Sequence, residues 1–156
     1  MDFDIAYLER VKIQAEILLP LFRRLREELG EPRACELIRA AVHDYATELG
    51  QSIAGAHAGT SLARLKAAVP VFTAGDALDI ETLRDDADEL SFNVRGCRYA
   101  EYFQALGEPL LGAMLTCEID PPMTAAIGAD LSLDRKQTLM QGGSLCDFRW
   151  KLESSA

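Results

Sequence analysis

The chain has 156 residues, 49% hydrophobic and 26% charged, enough for one ordinary domain with its own core and too apolar for a disordered segment. Its formal net charge of −9, from 25 acidic against 16 basic residues, opposes polyanionic partners, so nucleic acid is not an expected partner. The longest wholly apolar runs are far short of a membrane span, and Met1-Asp2-Phe3-Asp4 has no basic start or apolar run of signal type, so a cytoplasmic protein with no membrane partner is expected.

From Asp4 to Leu29 the positions Leu8, Val11, Ala15, Leu18, Phe22, Leu25 and Leu29 recur at steps of three and four, the stripe of a long amphipathic helix. Pro20 removes a backbone donor there and predicts a kink or break. The 3.5-residue repeat permits a homodimer seam through this helix, although packing against its own domain is the commoner use of such a stripe. Arg23-Arg24-Leu25-Arg26 is followed at once by Glu27-Glu28 and reads as a solvated helix face.

Gly30 suits a helix end and Pro32 the first turn of the next helix, giving a helical hairpin. Leu37, Ile38, Ala41, Tyr45, Leu49 and Ile53 carry the second helix towards His57, with Gly50 and Gly55 as weak points. His43 and His57 are about 21 Å apart on a continuous helix and cannot share a metal ion. Gly59-Thr60 caps a short helix from Ser61 to Ala68, and Pro70, Gly75 and Asp76 mark a loop.

Beyond it the period changes to two. Leu78, Ile80 and Thr82, then Leu90, Phe92 and Val94, alternate around the polar turn Asp85-Asp86-Ala87-Asp88 and read as a β-hairpin. A helix is expected from Cys97 to Leu106 and another from Leu110 to Leu115, opened by Pro109. Thr116 to Ala129, with Asp120-Pro121-Pro122, reads as a long loop or lid. Leu131 and Leu133 lead into a last strand pair around Gly142-Gly143. In the final strand Cys146, Phe148, Trp150 and Leu152 share one face, and Asp147, Arg149 and Lys151 the other. Cys146 and Arg149 can therefore serve one pocket only if a bulge re-aims one of them. The expected architecture is α+β in one domain, residues 1–156. A mainly helical half (1–70) precedes a half (76–153) that carries an antiparallel sheet of about four strands.

Cys35, Cys97, Cys117 and Cys146 are too widely spaced for a disulfide lattice or zinc knuckle, so reduced thiols are expected. Cys97, beside Arg95 and Arg98 at a helix start, fits a thiol of lowered pKa better than Cys146 does.

Several separated segments in order carry a family resemblance. They are Phe92-Asn93-Val94, Cys97-Arg98-Tyr99-Ala100-Glu101, Leu106-Gly107-Glu108-Pro109, Cys117-Glu118-Ile119-Asp120, Leu133 to Gly142, and Cys146-Asp147-Phe148-Arg149. From about Phe92 to Trp150 the chain resembles the L-2-amino-thiazoline-4-carboxylic acid hydrolase family, with Pro121-Pro122 standing where an aromatic-rich stretch is expected. The resemblance implies a ring-opening hydrolase that adds water to the C=N carbon of a cyclic amidine in a small-molecule substrate, turning 2-amino-thiazoline-4-carboxylate into N-carbamoyl-cysteine.

That reaction needs a nucleophile, a proton donor for the ring nitrogen and a carboxylate clamp. Cys97 or Cys146 could attack directly, or Asp120 or Asp147 could act as general base towards water. Arg149 or Arg135 would grip the substrate carboxylate, with Tyr99, Gln137 and Phe148 as further substrate contacts. No cofactor is expected. One alternative is a zinc site of Cys97, Cys117, Asp120 and Cys146. The other is a non-catalytic domain that binds or senses a small ligand, similar in outline to 4-vinyl-reductase-type domains.

Overall fold

The computed structural model describes residues 4–154; Met1, Asp2 and Phe3, read above for a signal segment, lie outside the described residues. An amphipathic stripe and a bent glycine build the first layer. Helix α1 (Tyr7–Leu29) and helix α2 (Glu31–Ala56) meet at Gly30, whose φ of 82° closes the turn and whose N–H donates to the Arg26 carbonyl. Leu8, Val11, Ala15 and Phe22 are buried against the chain's own core, so these positions of the predicted stripe serve the interior.

Ile13, Ile17 and Leu21 form a second, exposed apolar row on α1. Contrary to the predicted break, α1 runs through Pro20. Pro20 and Glu16 are both on the solvent side, where water can satisfy the carbonyl that the missing N–H would have bound.

Helix α3 (Ser61–Thr73) starts at Thr60, whose hydroxyl accepts from the Ala63 N–H. It also passes its proline, Pro70, and ends three residues later than Pro70 itself, beyond the predicted end at Ala68. Strands β1 (Leu78–Asp85) and β2 (Glu89–Cys97) form the expected hairpin. Helices α4 (Arg98–Ala105) and α5 (Pro109–Gly112) follow, and α5 widens into a π-helical turn over Ala113–Cys117.

The predicted lid is instead helix α6, Asp120–Ile127. Pro121 and Pro122 sit in its first turn, where N–H groups have no intrahelical partner, so a Pro-Pro pair that reads as a loop starts a helix. Strands β3 (Leu131–Asp134) and β4 (Cys146–Leu152) complete an antiparallel sheet of order β1-β2-β4-β3. Between them lies one short 3-10 turn, Leu139–Gln141, closed by Gly142 at φ 87°.

The sheet's inner face, with Phe92, Val94, Cys146 and Trp150, packs on the helices. Its outer face carries Glu81, Arg95 and Lys151, each about half exposed. The fold is therefore α+β, as expected. Among the described residues no helix is long and apolar enough to cross a membrane.

Gly50 is a packing position and not a weak point. A Cβ there would lie 2.4 Å from the Met123 carbonyl oxygen and 2.7 Å from the Ala126 Cβ, so the missing side chain lets α6 seat on α2. Gly55, on the same helix, has open space around it. Gly50→Ala should lower unfolding free energy, because overpacking of about 1–3 kcal/mol exceeds the helix-propensity gain of about 1 kcal/mol. Gly55→Ala should raise it by up to about 1 kcal/mol. Urea titration of the two variants against the parent checks both signs.

Candidate functional site

A cavity of about 90 Å³ lies between the inner sheet face and helices α1, α3 and α6, room for about one small ring or a few waters. Tyr7, Phe72, Phe92, Phe148 and Trp150 supply aromatic wall. Phe148 and Trp150 are stacked at 4.9 Å, and Phe92 leans on both. Among the described residues, Asp120 and Arg135 are the only charged side chains in the lining.

One helical face and one departure from regular backbone aim the chemistry inward. Across the π-helical turn and the start of α6, Thr116, Cys117, Ile119 and Asp120 line the cavity at the i, i+1, i+3, i+4 spacing of a single helical face. The departure is a bulge in β2. Asp79 pairs with Gly96 and Ile80 with Val94, so Arg95 has no partner on β1. That extra residue reverses the alternation, and Cys97 joins Phe92 and Val94 on the cavity side. Arg95 turns outward to pair with Glu81.

Asp120 and Arg135 meet at the cavity wall, where Arg135 Nη1 donates to Asp120 Oδ2. Arg135 Nη2 donates to the Cys117 carbonyl at 3.0 Å, and the guanidinium lies 5.1 Å from the Phe148 ring centre. Burial pushes the Asp120 carboxyl up to about 6 even against the pull of Arg135. Burial also pushes the Cys97 thiol up to about 11 and Cys117 up to about 12, and raises Cys146.

The expected activation of Cys97 is therefore reversed. Arg95 is engaged elsewhere, Arg98 is exposed, and desolvation outweighs the Ala100 N–H that the Cys97 sulfur accepts at 3.4 Å as the cap of α4.

Of the sequence-predicted residues, Cys97, Cys117, Cys146, Asp120, Arg135, Tyr99 and Phe148 reach the cavity. The Tyr99 hydroxyl is already held by the Phe72 carbonyl at 2.9 Å. Arg149 does not reach it. On the opposite face of β4, its guanidinium is bound to the Phe92 and Phe148 carbonyls and to Asn93 Oδ1 at 2.8–2.9 Å. No bulge in β4 turns it inward, since the β2–β4 register is unbroken from Glu89/Lys151 to Val94/Cys146.

Asp147 also lies off the cavity. Its Oδ1 accepts the Lys136 and Gln137 N–H groups at 3.0 and 2.9 Å. Partial burial raises its carboxyl, and these donors more than offset that, holding it below the usual range. Gln137 is likewise turned to the loop, where its Oε1 accepts from the Ser144 N–H at 3.1 Å. These two side chains shape the segment that carries Arg135 and do not touch the cavity.

Tyr7, Phe72 and Trp150 were not anticipated as site residues, and on α1 and α3 nothing in the apolar period separates a cavity wall from core. Among the described residues no group of three or more His, Cys, Asp or Glu is placed to hold a metal ion.

A sequence model described as L-2-amino-thiazoline-4-carboxylic acid hydrolase matches residues 10–150, extending the likeness through the helical half as well as the later motifs. No relative is found among curated proteins. The phenol-responsive sensory domain of the transcription activator PoxR, solved with phenol, is 15% identical with a TM-score of 0.56, over 86% of this chain and 72% of that one. Its likeness is one of fold. A trafficking protein particle complex subunit 3 from Naegleria fowleri, covalently bound to palmitic acid, is 10% identical with a TM-score of 0.48, over 92% of this chain and 97% of that one.

A thiol held at about 11 has roughly one three-hundredth of the thiolate of an ordinary cysteine at neutral pH. Native protein at pH 7 should therefore react with iodoacetamide at Cys97 and Cys117 at least about a hundredfold more slowly than unfolded protein. Peptide mass mapping over time reads this directly.

Proposed function

The chain belongs to the L-2-amino-thiazoline-4-carboxylic acid hydrolase family, and from that premise we propose a hydrolase that opens a small cyclic amidine with water as nucleophile. One observation carries this reading: among the described residues the cavity's only charged side chains are the Asp120–Arg135 pair, within a wall whose thiols are kept protonated.

Asp120 is the general base. Its Oδ2 is occupied by Arg135, which leaves Oδ1 to take a proton from water as the oxygen adds to the ring carbon between nitrogen and sulfur. The ring nitrogen takes up a proton from solvent, giving a neutral tetrahedral centre that carries the added hydroxyl. When that centre collapses, the hydroxyl gives its proton back to solvent as the C=O bond forms and the C–S bond breaks. The departing sulfur receives the proton held by Asp120, so one water is consumed and a free thiol is released. Arg135 has further N–H donors beyond its two bonds and grips the substrate carboxylate. A protonated thiol such as Cys97 or Cys146 packs the ring and donates weakly to it. Tyr99 and Phe148 serve as walls.

A second reading, ligand binding without turnover, is favoured by the mostly aromatic and aliphatic lining. It predicts thermal stabilisation by a ligand and no product.

The test is turnover of 2-amino-thiazoline-4-carboxylate, followed by the appearance of free thiol. The base must be ionised to work, so kcat/KM should rise with pH through about 6 and level off above it. Asp120→Asn, with its fold checked by circular dichroism, should lower kcat by roughly 10²–10⁴-fold, and Cys97→Ala should retain activity within a few-fold. Full activity in Asp120→Asn together with loss in Cys97→Ala would return the nucleophile to the thiol. Thermal stabilisation by the thiazoline without thiol release would favour the binding reading.

A further inference from the structure

Tyr7 stands at the boundary of two spaces. Its buried ring lines the cavity described above and also a groove of about 290 Å³ between α1 and α2. On the cavity side the ring meets Phe72 edge-on at 4.9 Å. On the groove side its hydroxyl is 3.2 Å from the Tyr45 hydroxyl, and Tyr45 lines the groove alone. Val11, Leu18, Val42 and Leu115 continue the groove, and among the described residues no charged side chain is in its lining.

We infer that Tyr7 is the partition that limits the ligand to a single ring, and that the α1–α2 groove is a closed-off extension able to take an uncharged apolar tail. This rests on the reading of the cavity as the ligand site and is independent of turnover. The cavity alone, about 90 Å³, is filled by a ring with one small polar substituent. The groove is larger and, apart from Gln14 and the two tyrosine hydroxyls, apolar, and Tyr7 lines both spaces. Shortening that one side chain joins the spaces without touching Asp120 or Arg135. Ligand size is thus set from the first residue of α1, far along the chain from the motif residues that supply the polar groups.

The experiment uses benzamide and 4-alkylbenzamides of increasing chain length. Their uncharged planar amide offers N–H to Asp120 and a carbonyl to Arg135, and their tails point away from that pair. Trp150, the only tryptophan, lines the cavity, so its fluorescence reports occupancy. The parent protein should bind benzamide and 4-methylbenzamide and lose at least tenfold in affinity by 4-butylbenzamide. Tyr7→Ala should bind 4-hexylbenzamide at least tenfold more tightly than the parent does, and Tyr7→Leu, a gentler truncation, should move the limit the same way. Tyr7→Phe should keep the parent limit, because the ring and not the hydroxyl forms the partition. Leu18→Trp in the Tyr7→Ala background should refill the groove and restore the short limit, which general loosening of the fold would not do.

Equal binding of short and long benzamides by the parent overturns the inference. An unchanged limit in both Tyr7→Ala and Tyr7→Leu overturns it too, as does failure of every benzamide to bind any variant. Failure of the hydrolase reading shows separately, as absence of thiol release from the thiazoline.

Discussion

The pairing of Asp120 with Arg135 is the constraint on which the rest of the site depends. Both side chains are largely withdrawn from water, at 15% and 12% exposure, and each would be costly to leave there alone. Removing one partner of such a pair strands a charge, a loss of about 3–5 kcal/mol. The pair also joins two distant stretches of chain, the start of α6 and the segment after β3, across the cavity wall. The contact from Arg135 to the Cys117 carbonyl draws the π-helical turn into the same arrangement. A carboxylate held at the edge of its ionisation by burial and a guanidinium with donors to spare are thus a consequence of closing the fold at this point.

Around that pair, the backbone sets what faces it. Thr116, Cys117, Ile119 and Asp120 share one helical face, whereas a regular β2 would have pointed Cys97 at solvent beside Arg95. The β2 bulge moves the register of side chains by one step. The loop that delivers Arg135 is fixed from behind by Asp147, which takes two backbone N–H groups, and by the Cys146 sulfur, which accepts from the Leu139 N–H at 3.2 Å. The residues that look most chemical in the last strand therefore divide by face: Cys146 and Phe148 look inward, while Asp147 and Arg149 hold scaffold in place.

Much of this was legible in the sequence. The helical hairpin follows from a three-four apolar period and the Gly30–Pro32 pair, and the β1–β2 hairpin from a period of two around an acidic turn. The faces of β4 were read correctly from alternation alone. What was not legible depends on partners distant in sequence. The β2 bulge exists only relative to β1, so Cys97 could be read as a candidate but its orientation could not. Asp120-Pro121-Pro122 has the composition of a turn, and it becomes a helix start because α6 packs on Gly50 of α2. Neighbouring arginines are visible in a sequence and desolvation is not, so the burial that raises the Cys97 thiol leaves no mark there. Tyr7 carries no motif at all.

The strand order β1-β2-β4-β3 leaves β1 and β3 as the two margins of the sheet. Margin β3 is only four residues long. Margin β1 is interrupted by two shifts of pairing and carries Glu81, Arg84 and Asp85 among its last residues. Such margins are poor templates for a further strand, because an incoming backbone finds neither length nor flatness and meets charges. Growth of a continuous sheet from one molecule to the next is thus disfavoured at both sides. The exposed row Ile13, Ile17 and Leu21 on α1 offers side-chain contact but no backbone ladder, so an association formed there would be limited in extent and would leave the sheet and its cavity unaltered.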